Sequence, residues 1–109
     1  MFQRIVFVLC LAVMAAWTPN NWAVGPGGSM NIVKNNKTAG TLVVTNDGPG
    51  PVWVEIYTVD KEGNRHWKGF LGLAKGEEDT FEDFDEGYYA DVVDWKHDRV
   101  GASGTYEVK

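Results

Sequence analysis

Apolar and polar residues alternate along much of this chain with a period of two, the spacing of a strand with one buried face. Val52 to Val59 shows it best. Val52, Val54, Ile56 and Thr58 fall on one side, and Trp53, Glu55, Tyr57 and Val59 on the other. Gly40 to Thr45 repeats the pattern, with Leu42 and Val44 opposite Thr41, Val43 and Thr45. Further short runs are Met30 to Val33, His66 to Leu73, Thr80 to Phe84, Tyr88 to Trp95 and Gly104 to Val108. Turn-forming residues separate them: Asn35-Asn36-Lys37, Asn46-Asp47-Gly48-Pro49-Gly50-Pro51, Asp60 to Asn64, Lys75-Gly76-Glu77 and Asp85-Glu86-Gly87. No window beyond residue 29 carries helical spacing over three turns. The pattern predicts an all-β fold, a small antiparallel β-sandwich of about seven short strands.

The beginning of the chain reads differently. Ile5 to Trp17 is an unbroken apolar run of 13 residues, preceded by Arg4 and followed by Thr18-Pro19. A charged start, an apolar centre and a helix-breaking end form a secretory signal. The run falls short of the roughly 20 residues that span a bilayer. Ala23 and Ala15 are the candidate cleavage points. The expected layout is a signal peptide with its helix over residues 1–23, a flexible Gly/Pro lead-in over 24–29, and a single domain over 30–109. Such a protein is secreted or periplasmic, with no membrane association after cleavage. The single cysteine, Cys10, lies inside the apolar run. Disulfides and cysteine-based zinc sites are therefore excluded from the folded part.

One stretch carries a family pattern. It runs Phe70-Leu71-Gly72-Leu73-Ala74-Lys75-Gly76-Glu77, then Thr80-Phe81-Glu82-Asp83-Phe84, then Gly87-Tyr88-Tyr89. Together with Gly40 to Asn46 and Val52 to Ile56, it resembles PEGA-type domains and related small extracellular β-sandwiches. The resemblance implies that Gly76 and Gly87 make turns, that Phe81 and Phe84 plug the end of the sandwich, and that Tyr89 packs at a strand corner. Phe84 stands where an aliphatic residue is usual, and Asp91 where an inward Val is usual. Such domains are mostly secreted or surface-attached modules without catalytic residues.

Charge narrows the choice of partners. The 109 residues include 10 Lys and Arg and 15 Asp and Glu, a net charge of −5. Nucleic acid and anionic membrane surfaces are held by clustered basic residues, so neither is expected as a partner. Seven of the acids fall between Glu77 and Glu86. Hard cations such as Ca²⁺ take several carboxylate oxygens converging from a turn, and Asp83, Asp85 and Glu86 beside Gly87 are the candidate ligands. The spacing lacks the distal Glu of an EF-hand loop, and a solvated acidic edge explains the same run. No other cofactor is indicated.

Aromatic residues supply the second candidate site. Trp53 and Tyr57 share a strand face, and Trp67 can lie opposite on the returning strand. Such a strip stacks against sugar rings or a protein partner when exposed. Turned inward, it forms core. Asp94, His97 and Asp98 form a small polar group compatible with a transition metal or with a plain turn. Asn36-Lys37-Thr38 matches a glycosylation sequon. Neither serine, Ser29 nor Ser103, lies in a nucleophile motif, and no catalytic constellation is evident. The residues point to an exported, non-catalytic module, structural or interaction-mediating. The alternative is a module that binds carbohydrate through the aromatic strip or calcium through the acidic segment.

Overall fold

The computed structural model describes residues 20–95 and 99–109. The charged start and apolar run of the expected signal helix lie outside them, as do His97 and Asp98. The described residues form eight strands: β1 (Asn20–Val24), β2 (Ser29–Val33), β3 (Gly40–Pro49), β4 (Val52–Val59), β5 (Arg65–Leu73), β6 (Glu78–Phe84), β7 (Tyr89–Asp94) and β8 (Ala102–Val108). One antiparallel sheet has the order β1-β8-β3-β6 and the other β2-β7-β4-β5. First pairs with last, second with seventh, third with sixth and fourth with fifth. A long hairpin folded over on itself gives this order, which is that of a jelly roll.

The sandwich holds because alternate residues of both sheets meet between them. Leu42 and Val44 from one sheet, and Val52, Val54, Ile56 and Val92 from the other, lose essentially all solvent exposure. Each contributes on the order of 1.5–3 kcal/mol by transfer from water. Phe84 closes one end at 0% exposure and meets Tyr88 edge to face at 5.7 Å. Gly76 and Gly87 have φ of +83° and +82°, a left-handed turn conformation that side chains with a Cβ resist. Both turns match the sequence expectation. Tyr89 opens β7 and packs there on the Tyr57 ring, with centroids 5.3 Å apart. Ala90 and Val92 point inward, so alternation sends Tyr89 to the outer face, and Tyr88 is the tyrosine that packs against Phe84.

Four differences from that expectation have local causes. First, β1 adds an eighth strand within the stretch expected to be leader. Trp22 is 2% exposed, and its indole N–H donates to the Thr105 carbonyl at 3.1 Å. A cut after Ala23 removes this ring, whereas a cut after Ala15 leaves β1 whole. Second, the segment from Gly25 to Gly28 is a pinned turn rather than a free lead-in. The Gly28 N–H donates to the Gly25 carbonyl at 2.9 Å, and the Gly27 N–H to Asp94 Oδ2 at 2.8 Å.

Third, β3 continues through Asn46 to Pro49, where a turn is expected, by taking a bulge between Asn46 and Gly48 opposite β8. Asn46 is fully buried there. Its amide donates to the Gly50 and Leu73 carbonyls at 3.0 Å each, and its Oδ1 accepts from the Gly48 N–H at 2.8 Å. Fourth, Asn36 of the sequon is turned inward. Its amide donates to the carbonyls of Thr38, Phe84 and Asp85, so a glycan at this nitrogen would displace interior hydrogen bonds.

Candidate functional site

The outer face of the β2-β7-β4-β5 sheet carries the aromatic strip. Strand β4 lies between β7 and β5, and its even-numbered residues from Val52 to Ile56 fill the core. Trp53, Glu55 and Tyr57 must then face outward. Strand β7 contributes Tyr89, Asp91 and Val93 to the same face by the same alternation. Asp91 thus faces outward, at the position where the family pattern has an inward Val.

Strand β5 needs an irregularity to contribute fully. Trp67 and Phe70 are three residues apart, which in a regular strand puts them on opposite faces. The pairing skips Lys68: Ile56 lies opposite Gly69, and Tyr57 opposite Trp67. This one-residue bulge brings Trp67 and Phe70 to one side. Their exposures are 51% and 48%. Phe70 therefore joins Trp53, Tyr57 and Trp67, and Trp95 joins them by continuing the alternation of Tyr89, Asp91 and Val93. The unusual spacing within His66 to Phe70 is the signal that could have revealed Phe70.

The rings form a continuous series. Trp95 and Trp53 have centroids 5.4 Å apart, Trp53 and Phe70 5.4 Å, Phe70 and Trp67 5.7 Å, Trp67 and Tyr57 5.5 Å, and Tyr57 and Tyr89 5.3 Å. The two ends differ. At the tyrosine end, Asp91 accepts from the Tyr57 hydroxyl at 3.0 Å and from the Asn31 amide at 2.7 Å. Arg65 Nη1 lies 3.4 Å from Asp91, with its guanidinium 4.3 Å above the Tyr57 ring centroid. Tyr57 is thereby buried although it faces outward. Its phenol is pushed up to about 12, first by burial and then by the hydrogen bond to the Asp91 carboxylate.

At the tryptophan end, a groove of about 570 Å³ is lined by Trp53, Glu55, Trp67, Phe70, Val93, Asp94 and Trp95. Trp53, Glu55 and Val93 are partly buried along it. The Asp94 carboxylate turns away to accept from the Gly27 and Gly101 N–H groups at 2.8 and 3.1 Å. It serves the fold there, joining the β1–β2 turn to the segment before β8.

The acidic segment occupies a different place. Strand β6 is the edge of the other sheet, and Asp83, Asp85 and Glu86 are all exposed. Among the described residues, no three His, Cys, Asp or Glu side chains are grouped to hold a metal ion. Glu77 accepts the Ala74 N–H at 2.6 Å, and Glu78 accepts the Thr45 hydroxyl at 3.3 Å. Charge along an exposed strand edge discourages pairing with another chain. His66 pairs with Asp60 at 2.8 Å in the β4–β5 hairpin, and this contact holds the Asp60 carboxyl below its ordinary value.

Comparison with known proteins informs the fold. No family model and no curated protein matches the sequence. The structure is similar to a crystal structure of PirA, with a TM-score of 0.57 at 13% sequence identity. The match covers 80% of this chain and 87% of that one.

Proposed function

We propose that this protein is an exported, non-catalytic binding module that takes carbohydrate on the outer aromatic face of the β2-β7-β4-β5 sheet. One observation carries the reading: six aromatic rings run in series across that face, and the most exposed of them border a groove of about 570 Å³. A small sandwich gains stability by turning such rings inward. These are held outward, at the cost of exposed apolar surface, which marks an interaction site.

Sugar rings present apolar C–H faces edged by hydroxyls. Tryptophan faces complement the first, and a carboxylate such as Glu55 accepts from the second. Export is supported by the apolar run after Arg4, and the absence of catalysis by the absence of a recognisable nucleophile motif in the sequence. The turn and core residues shared with PEGA-type domains fit a module of this kind.

The test is retardation of the purified chain in native gels containing soluble polysaccharides, alongside pull-down on insoluble ones. Retardation should be lost in Trp53→Ala and Phe70→Ala. If no polysaccharide retards the wild-type chain, or if both variants bind as well as it does, the reading fails.

A further inference from the structure

We infer that the groove beside Glu55 selects carbohydrate bearing protonated amino groups, a glucosamine-type polymer, over neutral sugar. The inference rests on the carbohydrate reading above and adds the charge of the ligand. Three observations carry it.

The first is an uncommitted carboxylate. Glu55 is partly buried on the groove wall, and it makes no hydrogen bond or ion pair with any described residue. Its cross-strand neighbours do not serve it. Asp91, opposite on β7, is occupied by Tyr57, Asn31 and Arg65. Phe70, opposite on β5, offers only its ring. The Glu55 oxygens keep access to solvent and are open to a ligand, since no side-chain oxygen among the described residues is buried without a partner. A cationic donor bonds a carboxylate more strongly than a neutral hydroxyl does.

The second is the absence of competing positive charge. Among the described residues, no lysine or arginine lines the groove. The Arg65 guanidinium is committed to Asp91 and to the Tyr57 ring at the other end of the strip. The charged side chains among the described lining residues are thus the carboxylates of Glu55 and Asp94, on a chain whose net charge is −5.

The third is the tilt of the rings. The planes of Trp53 and Phe70 meet at 47°, those of Trp53 and Trp95 at 48°, and those of Trp67 and Phe70 at 33°. Panels at these angles present several differently oriented ring faces along the groove rather than one flat shelf. A single sugar face uses one panel. An ammonium between tilted panels is attracted by the negative face of more than one ring. An amino sugar uses both features, with its ring on one tryptophan and its ammonium between the rings and Glu55.

The experiment compares three probes by calorimetry in mildly acidic buffer: a glucosamine hexamer, its fully N-acetylated form, and a lysine hexamer of equal charge. The glucosamine hexamer should bind about tenfold more tightly than the N-acetylated form, the gain expected from one ion pair plus one cation–π contact. Glu55→Gln should bring the two affinities together, with thermal melting used to confirm that it folds as the wild type does. Equal affinity for the two sugars overturns the inference while leaving the carbohydrate reading intact. A preference that survives Glu55→Gln also overturns it. Lysine hexamer binding as tightly as the amino sugar overturns it in favour of a basic peptide. If no sugar binds, the carbohydrate reading falls and this inference falls with it.

Discussion

Replacing Trp22 with alanine tests whether β1 belongs to the cooperative core. The ring lies over Gly104, its cross-strand partner, and a Cβ added there would stand 2.7 Å from the indole Cζ2. Strand β1 is paired to β8 from Asn20 to Val24, so the backbone has little freedom to collapse into the space the ring vacates. Truncating a buried Trp to Ala costs about 3–5 kcal/mol, including about 1 kcal/mol for the lost N–H···O bond. A domain of this size has about 5–15 kcal/mol in total. Each kcal/mol moves the melting midpoint of such a domain by about 4–8 °C, so the variant should melt at least about 12 °C lower.

The assay is thermal and urea unfolding followed by circular dichroism, with Trp67→Ala as a control whose half-exposed ring should matter far less. A chain beginning at Val24 should be destabilised at least as much as Trp22→Ala. A midpoint for Trp22→Ala within about 4 °C of wild type would refute the reasoning, because the ring would then contribute less than about 1 kcal/mol.

Three further outcomes follow from named contacts. A Cβ at Gly69 would run into the Phe81 ring, with Cζ and Cδ2 at 3.2 and 3.3 Å. Gly69→Ala should therefore lose about 1–3 kcal/mol, and adding Phe81→Leu should recover part of it, as measured by urea midpoints in a double-mutant cycle. Asn46→Ala leaves two buried carbonyls and the Gly48 N–H without their partner, and should cost about 2–4 kcal/mol in the same assay. Tyr57 is raised from 10.0 to about 12, so its contribution is complete below pH 10 and is lost as pH rises through 12. Tyr57→Phe should abolish that part of the alkaline loss, on the order of 1 kcal/mol once solvent screening of the hydroxyl is allowed for. The wild-type minus variant ultraviolet difference spectrum should show the phenolate only near the top of that range, and a phenolate already complete at pH 10 would contradict the burial and the Asp91 bond.

Local physics was readable in the residues. Leu42 with Val44, and Val52 with Val54 and Ile56, share a face as alternation groups them, and in the structure that face is the inward one. Seven of the eight strands lie where short β-rich runs stand between turn residues, with ends shifted by a few positions. The exception, β1, was hidden by its place beside an apolar run with the layout of a signal. Trp53 and Tyr57 were recognisable as sharing a face, but not as facing out. Both faces of β4 are largely apolar, so alternation groups its residues without saying which group meets the second sheet. Phe70 was obscured by the bulge at Lys68, which breaks the period that would otherwise locate it.

The sequence alone determined the β class, the turns at Gly76 and Gly87, the run of acids and which residues of a strand share a face. These depend on the chemistry of residues within a few positions of one another. Tertiary structure alone decided that first strand pairs with last, that Asp91 is claimed by Tyr57, Asn31 and Arg65, and that Glu55 is left open among tilted rings. The reason is that burial and hydrogen bonding are properties of two surfaces in contact. A strand's own residues state what it can bury, and only its partners settle what it does bury.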